Sequence, residues 1–267
     1  MTSGEDKANG FASYVALLAQ SMRDVRMAVS LCTRLPVGPS ATLGAGDVAR
    51  ASWAFPIAGA LIGAIGAAVY WLADRAHIPP ISASVLALAT SVLLTGAIHE
   101  DGLADTADGL GGGKTREKKL EIMRDSRIGT FGACALGLSL LLRWSALTAL
   151  EDTRAVAIAL IVAHAGARAV LPAFMRLVAP ARIDGLSSDA GQPPPMSVAV
   201  ALGLGIIALS IGFGLGPMLT GMAALAAIGL LLALLARRQI GGQTGDVLGA
   251  LEQAAEAALL LLATTLL

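Results

Sequence analysis

The sequence predicts an all-α protein: a polytopic integral membrane helical bundle of about seven transmembrane helices, with an N-terminal helix lying in the interface. Three observations predict it. Hydrophobic residues make up 55% of the 267 positions against 14% charged, the mean hydropathy is +0.73, and apolar stretches long enough to cross a bilayer recur along the chain.

Taken in order, the N-terminal segment MTSGEDKANG carries Glu5 and Asp6 before Lys7, which does not suit the n-region of a cleavable signal peptide. Residues 11–32 are apolar on one side but carry Arg23, Asp24 and Arg26, the pattern of a helix lying on the membrane or of a soluble amphipathic helix. Spans are then expected near 53–73, 80–98, 129–150, 155–175, 196–214, 217–236 and 248–267. With a cytoplasmic N-terminus, residues 1–52, 99–128, 176–195 and 237–247 face the cytoplasm and hold fifteen of the nineteen Lys and Arg. That asymmetry satisfies the positive-inside rule. No repeat of 20 to 50 residues is visible, the only low-complexity piece is GQPPP at 191–195, and residues 1–267 read as a single domain.

Net charge is zero and only ten residues are aromatic, so neither a basic field nor stacking platforms are available for nucleic acid, which is not expected as a partner. Cys32 and Cys134 lie in separate segments without metal-ligand spacing and read as apolar core residues.

Charge concentrates instead in one place. Between His99 and Glu121 stand six carboxylates, followed by Asp125. Asp101, Asp105 and Asp108 are spaced i, i+4, i+7, which on a helix puts them on one stripe whose mutual repulsion calls for a counter-charge. Hard divalent cations, Mg²⁺ above all, are held by such carboxylates together with substrate phosphate oxygens. The run GLGGGKT follows, a flexible loop or an exposed set of N–H groups for an anion, and then a helix with a basic face, TREKKLEIMRDSRIGT. Its Arg124 and Arg127 suit phosphates, because a guanidinium grips two oxygens at once. The last cytoplasmic loop repeats the grammar with Arg237, Arg238, a glycine turn, Thr244 and Asp246, then Glu252 and Glu256 entering the final span. His164 and Arg168, i and i+4 within a span, are costly there and point to the same cavity, whereas Arg143 has the alternatives of snorkelling or pairing inside the bundle. Carboxylates for a metal and arginines for phosphate at one membrane face suggest phosphoryl or nucleotidyl transfer.

Four stretches, TRLPVG at 33–38, TGAIHEDGLADTADGLGGG at 95–113, IMRDSRIGTFG at 122–132 and GGQTGDVLGA at 241–250, in this order, resemble the adenosylcobinamide-GDP ribazoletransferase family, also called cobalamin 5′-phosphate synthase. The resemblance in length and hydropathy covers nearly the whole chain. It implies a multi-pass enzyme of the bacterial inner membrane, Mg²⁺-dependent, with its active site facing the cytoplasm, that joins adenosylcobinamide-GDP to α-ribazole or its 5′-phosphate late in cobalamin biosynthesis and releases GMP. On that basis Asp101, Asp105, Asp108 and Asp246 are expected to hold the metal, and Arg124, Arg127, Arg168 and Thr244 the substrate phosphates. His99, Glu100 and Asp125 are the candidate catalytic groups. The bilayer is an implied partner and homo-oligomerisation is left open. A looser likeness links DTADG at 105–109 to the D-x-x-D-G opening of the CDP-alcohol phosphotransferases, without the rest of that signature in register. Competing readings are such a phosphotransferase of phospholipid synthesis, a membrane prenyltransferase, which would show a second Asp-rich motif, and a transporter, whose acidic residues would lie near mid-bilayer.

Overall fold

The computed structural model describes residues 2–37 and 46–267, apart from the side chains of residues 2–12 and 186. Gly38, the last residue of the TRLPVG stretch, lies outside the described residues. Among the described residues the chain is helical, with one isolated parallel bridge between Pro180 and Gln243.

Helix α1 runs over Thr2–Cys32. Tyr14, Leu17, Leu18 and Met22 stay exposed along it, whereas Met27, Ala28, Val29 and Cys32 are buried. Its C-terminal end is thus docked, whereas residues 13–19 are exposed on every side. The dock is polar as well: Asp24 pairs with Arg50 of α2 (Asp47–Ala51) at 3.1 Å and accepts the Trp53 indole N–H at 3.0 Å.

Helix α3 (Phe55–Arg75) packs along α8 (Thr153–Ala169), the most buried helix of the bundle. The contact needs glycine. A Cβ on Gly59 would sit 2.2 Å from the His164 carbonyl oxygen, and one on Gly63 would sit 2.5 Å from that of Leu160, so the two backbones touch as small-residue membrane interfaces do. Two clusters of buried side chains surround this pair. One is built on Tyr70, Leu147, Leu160, Leu209 and Leu259, the other on Phe55, Ile62, Phe174, Ile240 and Leu251.

The expected span at 80–98 breaks before it is complete. Helix α4 (Pro80–Thr95) is followed at Gly96 and Ala97, both left-handed with φ of 66° and 60°, by an 86° bend into α5 (Ile98–Gly112). Arg34 braces the break: its backbone N–H donates to the Leu94 carbonyl at 2.7 Å, and a Cβ on Gly96 would lie 2.0 Å from its Nε. The stretch 99–128 holds the expected acidic helix as α5, while the expected basic helix is a short α6 (Arg116–Ile122) that ends before Arg124 and Arg127.

Among the described residues five helical segments are long and apolar enough to cross a membrane: Asp47–Arg75, Thr130–Leu150 (α7), Thr153–Leu177 (α8 with α9, Leu171–Leu177), Pro195–Phe213 (α11) and Leu215–Ile240 (α12). The bent α4–α5 pair makes a sixth only when taken together. Against about seven expected, five or six segments thus qualify by length and composition, and the all-α multi-pass bundle stands. The seventh stretch forms α13 (Gly245–Ala263), but Asp246, Glu252 and Glu256 disqualify it as a simple span, and it is buried against α5, α7, α8 and α12. It is the polar axis of the bundle.

Candidate active site

Two charged assemblies lie along α5 and α13, one deep and one near the ends of those helices. Their approach is again set by glycine: Gly102 and Gly249 face each other with a Cβ-to-Cα distance of only 3.1 Å, which brings the α5 carboxylates beside the first turn of α13.

The deep assembly joins four helices. Arg143 of α7, 1% exposed, bridges Glu100 of α5 and Glu256 of α13, each at 3.1 Å. Arg168 of α8, equally buried, pairs with Glu252 of α13 at 2.6 Å. His164 completes it, with Nδ1 3.1 Å from Glu256 and Nε2 3.2 Å from the Ser91 hydroxyl. Among the described residues, His164, Glu252 and Glu256 form the one group of three potential ligands whose donor atoms lie within 4.8 Å of one another. Two guanidiniums already supply the counter-charge there, so the set reads as an ion-paired core.

Placement here changes the roles expected of Arg168 and Glu100 and sets His99 beside them. Arg168 is committed to Glu252 and also reaches His164 at 3.1 Å, so it has no open face for a substrate phosphate. Glu100 is held by Arg143, with its Oε2 buried and without a hydrogen-bond partner. His99 stands at the edge of the network, its Nδ1 3.4 Å from Arg168 and 3.9 Å from Glu252.

The outer assembly is the predicted stripe. Asp101 is exposed, Asp105 half-buried and Asp108 buried, one turn apart on α5 and joined by Asp246 at the start of α13. Asp105 lies two turns beyond the bend, past the apolar stretch at 80–98. Burial, and after it the charges of Asp101, Asp246 and Asp108, push its carboxyl up to about 7. Asp246 is raised too, chiefly by burial, although Arg182 at 3.1 Å and the Thr244 hydroxyl at 3.1 Å oppose the shift. Carboxylates this crowded call for a counter-charge, and among the described residues no three of them bring donor atoms within 4.8 Å of one another.

Asp108 has a structural task in addition. Its two oxygens accept the Gly129 and Gly132 N–H groups at 2.6 and 2.8 Å, capping the first turn of α7, and a Cβ on Gly132 would lie 2.3 Å from its Oδ2. Thr244 likewise caps α13, accepting the Val247 N–H at 3.3 Å, and is 1% exposed, so its hydroxyl is used within the protein.

The basic residues divide. Arg116 donates to the carbonyls of Ile240 and Ala181, and Lys119 to Leu110 and Gln239, so both tie α6 to its neighbours. Arg124 pairs with Asp184 at 2.6 Å and lines a cleft of about 350 Å³ together with Glu117, Leu120, Glu121 and Arg182. Arg127 is 86% exposed and grips Asp125 at 2.6 Å. Those hydrogen bonds hold the Asp125 carboxyl down at about 2, which makes it a poor proton acceptor and moves it to the bottom of the catalytic candidates.

Of the two alternatives open for Arg143, snorkelling or pairing inside the bundle, the structure shows the pairing. Arg143 has no charged neighbour in sequence, and only the bundle brings it to Glu100 and Glu256. The matched spacings 164/168 on α8 and 252/256 on α13, each i, i+4, were the available signal.

Comparison with known proteins adds a family. A family model described as Cobalamin-5-phosphate synthase matches residues 24–264. An adenosylcobinamide-GDP ribazoletransferase of Bradyrhizobium diazoefficiens is 58% identical over 240 residues, covering 90% of this chain and 92% of that protein. Proteins with the same name from Mesorhizobium japonicum and Azorhizobium caulinodans are 48% and 46% identical. They cover 93% and 90% of this chain and 95% and 94% of their own lengths. No solved structure matches the chain.

Proposed function

The chain belongs to the cobalamin-5-phosphate synthase family, and from that premise we propose that it is a Mg²⁺-dependent adenosylcobinamide-GDP ribazoletransferase acting at the cytoplasmic face of the bacterial inner membrane. The ribose hydroxyl of α-ribazole, or of its 5′-phosphate, attacks the phosphorus that bears cobinamide. The bond from that phosphorus to the bridging oxygen breaks, and GMP leaves with the electron pair. Mg²⁺, held by Asp101, Asp105 and Asp246 with Asp108 beside them, would offset the charge of both phosphates. Around it the chain's own residues do the rest. His99, or a carboxylate of α5, takes the hydroxyl proton, and Arg124 faces the cleft in which a phosphate can be bound.

The observation that carries this reading is the crowding of Asp101, Asp105 and Asp246 across the Gly102–Gly249 contact, in a chain of this family. The experiment is direct. Purified protein given adenosylcobinamide-GDP, α-ribazole and Mg²⁺ should release GMP and a cobalamin in equal amounts, and chelation should stop both. Release of no GMP would sink the reading.

The raised Asp105 carboxyl also sets a pH dependence. Between the ordinary carboxylate value of 3.8 and about 7 the folded protein holds a proton that the unfolded chain has lost. Without metal, stability therefore falls as pH rises through that window. Added Mg²⁺ should reverse the trend, and its apparent affinity should weaken as pH drops below about 7, because the cation must displace that proton. Thermal unfolding with and without Mg²⁺ from pH 5 to pH 8 measures both, and a flat profile would remove Asp105 from the metal set.

Sidedness has its own check. Gly112 is exposed at the end of α5, whereas Gln243 is 1% exposed and a poor reporter. With the exposed Cys134 replaced by serine, a cysteine at Gly112 should react with an impermeant reagent only from the cytoplasmic side. Reaction in intact cells would invert the topology.

A further inference from the structure

Arg182 lies in the segment between α9 and α10 (Leu186–Ala190), a stretch to which the sequence motifs assign nothing. That segment is fixed to the start of α13: the Ala181 N–H donates to the Gln243 carbonyl at 2.8 Å, and the Gln243 N–H to the Ala179 carbonyl at 2.9 Å. Arg116 clamps it from the other side through the Ala181 carbonyl at 2.6 Å. The Arg182 guanidinium is thereby held against Asp246, with Nη2 3.1 Å from Oδ2. Its Nη1 is buried and has no hydrogen-bond partner. A buried cationic donor left without an acceptor is costly, and unlike the unpaired Nε of Arg143 and Arg168 in the ion-paired core, this one belongs to a side chain that lines open space.

Two hollows meet at this side chain. One is a small polar pocket walled by Ser187, Gln243, Thr244 and Gly245, beside the N-terminal turn of the 19-residue α13. The other is the 350 Å³ cleft between α6 and the 180–188 segment, which is at the small end of ligand-sized pockets. Two of the three acids in that cleft are already neutralised, Asp184 by Arg124 at 2.6 Å and Glu121 by Lys118 at 2.8 Å. The third, Glu117, can only accept hydrogen bonds and suits a base that presents N–H donors.

We infer that this cleft seats the nucleoside monophosphate half of the substrate, with the guanidinium of Arg182 on the phosphate that departs. The inference rests on the transferase reading above and deepens it. A rotation of the guanidinium that turns Nη1 toward the cleft lets one nitrogen keep hold of Asp246 while the other takes a phosphate oxygen, so the residue ties the nucleotide to the carboxylate set where the bond is broken. A lysine cannot serve both, because its single ammonium lacks the fork.

The test is equilibrium binding of GMP, and separately of guanosine, to the purified full chain with Mg²⁺, in wild type, Arg182→Ala, Arg182→Lys and Leu120→Trp. Arg182→Ala should weaken GMP by about ten- to hundredfold, the loss of a charge-assisted contact, and leave guanosine unchanged. Arg182→Lys should fall nearer to alanine than to wild type. Leu120→Trp fills the cleft from its α6 side with Arg182 retained and should weaken both ligands, so the inference stays testable if Arg182→Ala fails to fold. Unchanged GMP binding in the Arg182 variants, equal loss of GMP and guanosine in Arg182→Ala, or normal binding in Leu120→Trp would each overturn it. Wild-type protein that releases GMP from adenosylcobinamide-GDP while these variants bind GMP normally would sink this inference alone. Absence of both GMP release and GMP binding in wild type would sink the transferase reading with it.

Discussion

Asp105→Asn is expected to lower turnover by about a thousandfold or more and, in the same protein, to raise metal-free stability above pH 7. The loss follows from removing a charge that the cation needs, at a step where metal stabilisation supplies several kcal/mol, each 1.4 kcal/mol being tenfold in rate. The gain follows from removing a carboxylate that Asp101, Asp108 and Asp246 already repel. Asparagine keeps the shape, so insertion and folding are not at stake. The opposed signs separate a functional carboxylate from a structural one. Asp108 provides the contrast: Asp108→Asn loses an acceptor for the Gly129 or Gly132 N–H and should destabilise α7's first turn as well as slow the reaction. Steady-state rates and unfolding measured side by side check both, and an Asp105→Asn enzyme with wild-type turnover at limiting Mg²⁺ would exclude Asp105 from the site.

Arg143→Met is expected to cost about 3–5 kcal/mol of stability, because it strands Glu100 and Glu256 in the core without their shared partner. Adding Glu256→Gln should restore part of that loss, since a neutral amide no longer needs the guanidinium, and the double-mutant cycle measures the coupling. Unfolding in mixed micelles would show it. A single-mutant cost below about 1 kcal/mol would mean that solvent reaches the network and that it does not hold α5, α7 and α13 together.

Much of this was legible beforehand. The i, i+4, i+7 spacing of Asp101, Asp105 and Asp108 placed them on one helical stripe, and Asp246 was marked as the acid of the opposing loop. What spacing could not show was which acid has a second duty. Asp108 caps α7 only because the Gly129–Gly132 turn folds back onto α5, a contact 21 residues away in sequence. Counting spans meets a related difficulty at α13. Hydropathy sees residues 248–267 as one more apolar segment, yet Glu252 and Glu256 are satisfied by Arg168, Arg143 and His164 on two neighbouring helices, which makes α13 an internal strut. The 86° bend was equally hidden, because it depends on a left-handed alanine, Ala97, held in place by the surrounding packing rather than by its own preference.

The claim that α5 and α13 together hold the divalent cation is tested most directly by Mn²⁺ binding, read by electron paramagnetic resonance, with Mn²⁺ standing in for Mg²⁺ at oxygen ligands. Wild-type protein should take up Mn²⁺ at a saturable site that Mg²⁺ displaces. Asp105→Asn on one helix and Asp246→Asn on the other should each abolish that uptake, while Glu252→Gln in the ion-paired core should not. Full Mn²⁺ binding in both aspartate variants would contradict the account, and loss of binding only in Glu252→Gln would move the metal to the buried network of His164, Glu252 and Glu256.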